Sequence, residues 1–340
     1  MTRFSRSFAV DVLAEWDATS PGNAVRELFD RWYLPGEKAF WGTPLRLGLG
    51  DGELNFYARG QLVAKLTCGP CGPNLSVHRA YVTGRRREWV GDGNPPVQGY
   101  QDYDANALAD PATSSLIADW IKTAETYASA EQRFVDDLIA ANPAVLNLET
   151  SVPASDLEDI GRVAHRMSLV VVQRAGDGPP SIGFWQVLSA SNRDLRARDD
   201  DPPEVLEQIA QCARWMAEDH REAEVERAYR NTAASLLALY RLFRAGDRSD
   251  RKSARIWQEL TKAEAPVVIV QPGLVIGNYW PEGYRERIAS GRMAQHAAKF
   301  AGSGTRDELQ RAGIRVHEIG PDHGGPALAF LQTSLRSSAR

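Results

Sequence analysis

Two apolar runs in the middle of the chain constrain its fold more than any other feature. The first is Arg166-Met167-Ser168-Leu169-Val170-Val171-Val172, and the second, after a short spacer, is Gly183-Phe184-Trp185-Gln186-Val187-Leu188. Both are rich in residues that suit a pleated, buried surface, and both have strand length. They predict two adjacent strands joined by a turn.

The segments on either side place this hairpin in context. Val25, Leu28, Phe29 and Trp32 share one face of a predicted helix over 23–33, and Pro35-Gly36 stops it. From Pro44 to Val82 the period changes to two. Leu45, Leu47 and Leu49 alternate with Arg46 and Gly48, and Asp51-Gly52 is a hairpin turn signal. Leu54-Asn-Phe-Tyr, Leu62-Val-Ala-Lys-Leu and Leu75-Ser-Val-His continue a small antiparallel β module. Residues 83–112 carry Arg85-Arg86-Arg87 and then frequent Gly, Pro, Asn and Asp, which favours loop and marks a boundary.

Helical sequence follows from Ser114 to Ala141. Within it Ser129-x-x-Gln132 is a capping box that starts a new helix, with Phe134, Val135, Leu138 and Ile139 buried and Asn142-Pro143 as the stop. After the hairpin, Pro202-Pro203 precedes a helix with Val205, Ile209, Cys212 and Met216 on one face. Charged residues 218–224 break or expose it, and Val225 to Phe243 forms a second long amphipathic helix. Val267-Val-Ile-Val and Ile314-Arg-Val-His-Glu-Ile are strand candidates, with helical sequence between them around 292–301. This alternation predicts a layered α/β domain. The tail after Thr333 is Ser/Arg-rich and predicted to fray.

Composition bounds the function classes. At 340 residues the chain has room for about two domains. A net charge of −4 and a pI near 5.9 argue against a general polyanion binder, so any nucleic-acid site is a local patch. With three cysteines a disulfide-stapled secreted fold is not expected. Neither a signal peptide nor an apolar run of about 18 residues is visible, which makes the cytoplasm the expected compartment and excludes a membrane partner.

Four segments in order resemble the PD-(D/E)XK, restriction-endonuclease-like nucleases, over roughly residues 115–320. Glu131-Gln-Arg-Phe-Val-Asp-Asp-Leu-Ile-Ala-Ala-Asn-Pro resembles that family's opening helix, which often carries a Glu. Met167-Ser-Leu-Val-Val-Val stands where relatives have an Ile-Asp-Leu-type strand, and Phe184-Trp-Gln-Val-Leu where they have Glu-x-Lys. Glu204-Val-Leu-Glu-Gln208-Ile-Ala-Gln-Cys212-Ala-Arg-Trp215 resembles the helix after the active site, with Cys212 in place of a recurrent Tyr.

The resemblance implies a mixed-sheet α/β core over 113–335, joined to the N-terminal β-rich module over 1–112. It implies a metal site as well. Hydrolysis of this type uses carboxylates to hold Mg²⁺ and a Lys to orient water or neutralise charge. Here the metal-binding Asp is Ser168, the Glu is Gln186 and the Lys is Leu188. Glu131 keeps a carboxylate, either as part of that pocket or as a solvated first-turn residue favoured by the helix dipole. Gln208 reads equally as a pocket residue or as a hydrogen bond from helix to hairpin. Leu188 reads as a core-facing filler. The expectation is a catalytically degenerate nuclease relative with no cofactor that binds DNA or RNA, or a partner protein working on nucleic acid, without cutting it, with a role in bacterial defence or DNA maintenance. The alternatives are an active Mg²⁺-dependent nuclease with relocated ligands, for which Asp156, Glu158 and Asp194 are nearest in sequence, and a pure interaction or assembly protein.

Other constellations carry less. Cys68-Gly69-Pro70-Cys71 has the letters of a redox motif, but Gly72-Pro73-Asn74 follows where a helix would have to start. It reads as a hairpin turn, and with His78 alone nearby it does not read as a zinc site. Arginines surround the central hairpin: Arg162, Arg166, Arg193, Arg196 and Arg198. Beside a nuclease-like pocket Arg166, Arg193, Arg196 and Arg198 are the expected phosphate contacts, and pairing with nearby acids such as Asp199 to Asp201 is the competing use.

Overall fold

The period-two segment becomes an antiparallel sheet. The computed structural model describes residues 4–39, 42–83, 99–152, 165–174, 178–196, 202–244, 252–264, 267–277 and 291–319. Within these, β1 (Leu45–Leu49), β2 (Glu53–Ala58), β3 (Gln61–Gly69), β4 (Gly72–His78) and β5 (Tyr100–Tyr103) lie side by side in that order. Alternation sets the two faces. Leu47, Phe56, Ala64 and Val77 are paired across the apolar face, while Gly48, Asn55, Lys65, Ser76 and Asp102 form the neighbouring polar row. The Asp51-Gly52 turn has Gly52 in the left-handed region at φ +77°, which its lack of a Cβ permits. Cys68 pairs with Pro73 and Gly69 with Gly72, so the Cys-Gly-Pro-Cys stretch is the β3–β4 turn.

Helices cover this sheet. They are α1 (Val10–Thr19), α2 (Ala24–Asp30), α3 (Arg79–Val82), α4 (Ala105–Ala109) and α5 (Pro111–Tyr127). Asn23 caps α2 by accepting from the Arg26 N–H at 2.8 Å. The loop expected over 83–112 contains β5 and α4, whose Tyr103 and Leu108 are buried. Such short elements carry little periodicity, and contact with β4 stabilises them. Residues 84–98, including Arg85 to Arg87, lie outside the described residues.

The second sheet is mixed. Its order is β6 (Val145–Val152), β7 (His165–Arg174), β8 (Pro180–Ser189), β9 (Val268–Gly277) and β10 (Arg315–Ile319). β6, β7 and β8 are antiparallel neighbours, whereas β9 runs parallel to both β8 and β10. Preceding it is α6 (Ala130–Ala141), started by the Ser129/Gln132 capping box. A 3-10 turn (Arg193–Leu195), α7 (Glu204–Met216), α8 (Arg221–Arg244) and α9 (Lys252–Lys262) separate β8 from β9. α10 (Gly291–Gly302) and α11 (Thr305–Arg311) lead to β10.

Side-chain alternation along β8 assigns its neighbours. Trp185 and Val187 join Phe134, Val135, Leu138 and Ile139 of α6 in one apolar cluster. Phe184 faces the other way, with Cys212, Trp215, Tyr229 and Leu236 of α7 and α8. The Trp185 indole lies over β9 because residue 273 is glycine, where an added Cβ would come within 2.6 Å of the ring.

The two sheets meet at the edges β1 and β6. Asn147 Oδ1 accepts from the Leu49 N–H at 2.7 Å and its Nδ2 donates to the Leu49 carbonyl at 2.9 Å, so a side-chain amide substitutes for a strand pairing. Arg46 of β1 donates through Nε to Asp136 of α6 at 2.9 Å, with both side chains buried. One apolar cluster runs from Phe4 to Val267, and α5, which spans the expected boundary at 112/113, packs on α2, α3 and β3. Among the described residues no helix is long and apolar enough to cross a membrane.

Candidate functional site

Register brings Glu149, Ser168 and Gln186 into one row. Leu148 pairs with Leu169 and Thr150 with Met167, which sets Glu149 of β6 opposite Ser168 of β7. Leu169 pairs with Trp185, which sets Ser168 opposite Gln186, and Gln186 in turn pairs with Leu274. The Ser168 hydroxyl accepts from the Val187 N–H at 3.1 Å and donates, at a long 3.5 Å, to Gln186 Oε1. Ser168 is buried and Gln186 half-buried. At these two positions the chain presents a hydroxyl that satisfies the strand and an amide at long hydrogen-bond distance from it.

The remaining sequence-derived positions divide. Glu131 stands in the first turn of α6 and is half-buried, not solvated. Its Oε2 accepts from the Ser189 N–H at 2.8 Å and from Asn192 Nδ2 at 2.9 Å, tying the helix to the end of β8. Leu188 is buried with Leu195, Ile209, Leu274, Phe300 and Leu309. Gln208 is half-buried on α7, four residues before buried Cys212, and makes no hydrogen bond to the hairpin among the described residues. Ser168 and Gln186 converge, Glu131 reaches the strand end about 10 Å beyond them at the usual rise per residue, and Leu188, two residues along β8 from Gln186, is buried in the core.

A residue missed in the sequence completes the site. Glu149 lies on β6, a strand absent from the sequence-based assignment, and has φ +45°, the left-handed region. For a non-glycine residue this costs roughly 1–3 kcal/mol. The conformation reverses the strand's facing. Leu148 packs with α6, whereas Thr150 accepts from Tyr229 Oη at 3.3 Å on the opposite side. Burial pushes the Glu149 carboxyl above its ordinary value, the Arg166 guanidinium works against that, and the Glu131 carboxylate adds to it. The Tyr57 phenol is pushed up by burial and by the Glu149 charge, with Arg166 again opposing. The apolar residues after the Asn142-Pro143 stop, Val145, Leu146, Leu148 and Val152, were the available signal for this strand.

The arginines are not equivalent. Arg166 is exposed beside Glu149, and Arg193 is 83% exposed, 3.8 Å from Asp194. Arg196 is half-buried and engaged, donating through Nη2 to His296 Nδ1 at 2.8 Å and to the Ser191 carbonyl at 3.5 Å. Arg198, Arg162, Asp156 and Glu158 lie outside the described residues.

The donor set can be weighed against the Mg²⁺ that the family pattern implies. Hard cations of this kind take oxygen ligands with carboxylates prominent among them. Ser168, Gln186 and Leu188 bring no charge, and Glu131 is held through Oε2 by two N–H donors. The residues at the family positions do not fit the metal. Among the described residues no group of three or more His, Cys, Asp or Glu side chains is placed to hold one. In comparisons with protein-family models, curated proteins and solved structures, nothing matches this chain.

Proposed function

We propose that the chain is a catalytically degenerate relative of the PD-(D/E)XK nucleases that binds nucleic acid, or a partner working on nucleic acid, without cutting it. The observation that carries this reading is the Ser168–Gln186 contact on neighbouring strands, at the two positions where the resemblance places the metal carboxylates. The order α6, β6, β7, β8, α7 around one mixed sheet also supports it. Arg166 and Arg193 are the exposed cations for phosphate contact. The test is filter binding of DNA and RNA across a salt series. Counterion release demands that affinity fall steeply as salt rises. Salt-independent or absent binding would remove the nucleic-acid reading and leave an assembly protein.

One observation favours a second reading, an active nuclease with a relocated carboxylate. Glu149 stands opposite Ser168 and close enough to Glu131 for that carboxylate to help hold the Glu149 carboxyl above its ordinary value. Cleavage of DNA or RNA in Mg²⁺ or Mn²⁺ that disappears in Glu149→Gln would establish it. Absence of both cleavage and calorimetric metal binding would dismiss it.

A further inference from the structure

A cavity at the far end of the same hairpin has the chemistry of a ligand site. It measures 420 Å³ and lies between β7, the start of β8 and α9. That size falls within the range typical of small-molecule pockets, which pair apolar walls with a few polar groups. Val172, Pro180 and Ile256 give it apolar lining, with Gln173 at its edge. Arg174, Glu259 and Lys262 supply its charges.

The charges indicate the sign of the ligand. Two cations face one carboxylate. Arg174 Nη1 already holds Glu259 Oε2 at 3.4 Å, in an ion pair whose members are 53% and 62% exposed. An exposed pair of this kind contributes little to stability, so exchanging its carboxylate for another costs little. The C-terminal end of α9 would ordinarily repel an anion. Here Arg230 Nη1 donates to the Leu260 and Ala263 carbonyls at 2.9 and 2.7 Å and offsets that end charge.

We propose that this cavity binds a small amphipathic monocarboxylate. Its apolar tail lies against Val172, Pro180 and Ile256, and its carboxylate takes the place of Glu259 on Arg174 with Lys262 alongside. Nothing in this assignment depends on the nuclease-like reading. The experiment is calorimetric titration of the full chain with decanoate, below its micelle concentration, and in parallel with decanol. Decanoate is expected to saturate at one site, with decanol weaker by about two- to fivefold, the range an exposed ion pair supplies. Arg174→Glu/Lys262→Glu, at two exposed positions, should weaken decanoate by a similar factor while leaving thermal unfolding unchanged. Ile256→Trp should obstruct the cavity and abolish binding. Failure to saturate, equal binding of decanol, or undiminished binding by the double charge variant would each overturn the proposal.

Discussion

Removing Asp136 should loosen the joint between the two sheets more than any other single change. Asp136 is 1% exposed and Arg46 2%, so neither charge is solvated by bulk water. Asp136 accepts from Arg46 Nε at 2.9 Å and from Arg59 Nη1 at 3.1 Å. Each charge-assisted bond contributes about 1.5–3 kcal/mol, and breaking a buried pair from one side typically costs about 3–5 kcal/mol. Arg46 also donates to the carbonyls of Tyr33, Leu34 and Glu37 at 3.0–3.2 Å, which partly replaces water around its cation. Arg59 can shift toward Glu125, 3.4 Å from its Nε. These two reliefs place the expected loss for Asp136→Ala near the lower end, about 3 kcal/mol. Asp136→Asn keeps one acceptor oxygen and should lose about half as much. Arg46→Met/Asp136→Leu removes both charges and should recover most of the loss. Urea unfolding measures all three, with the slope of the transition as a check that the same surface is exposed. A loss under about 1 kcal/mol for Asp136→Ala, or a double variant less stable than Asp136→Ala, would refute the reasoning.

Glu131→Ala leaves the Ser189 N–H without its acceptor and should cost about 1–3 kcal/mol in the same assay, with Glu131→Gln closer to wild type. The raised Glu149 pKa means that the native state holds that proton more tightly than the unfolded chain. Its contribution to stability is therefore full at low pH and declines as pH rises through the folded-state value. Urea midpoints across a pH series should show this decline shrink in Glu149→Gln. Glu149→Gly removes the left-handed strain at φ +45° and should raise the melting temperature while abolishing whatever binding Glu149 supports. Ser168→Asp/Gln186→Glu should create a row of three carboxylates with Glu149, detected as gained Mg²⁺ affinity by calorimetry and lower stability without the ion. Leu188→Lys is better left out of that variant, because it would bury an ammonium among Leu195, Ile209 and Phe300.

Much of the local structure was legible because its cause is local. The Ser129/Gln132 box and the Asn142-Pro143 stop delimit α6 through backbone hydrogen bonds within a few residues. The alternation after Leu45 and the Asp51-Gly52 turn specify β1 and β2 with their register. The hairpin of Ser168 and Gln186 was likewise visible as composition. β6 was not, because two irregularities interrupt its alternation: the register shift between Val145 and Asn147, and the left-handed Glu149. The roles of Glu131 and Arg196 were also out of reach, since their partners Ser189, Asn192 and His296 are 58 to 100 residues away.

By itself, then, the sequence determined where most of the strands and helices lie, which face of those is apolar, and that the hairpin carries neutral side chains where a metal-binding pattern has charges. These follow from side-chain period and chemical identity, which act over a few residues. Tertiary structure alone decided which groups meet. It set Glu149 opposite Ser168, tied Glu131 to the end of β8, and joined β1 to β6 through Asn147. Strand pairing and helix docking bring distant residues together, and whether a carboxylate ends beside a backbone N–H or another carboxylate depends on that docking.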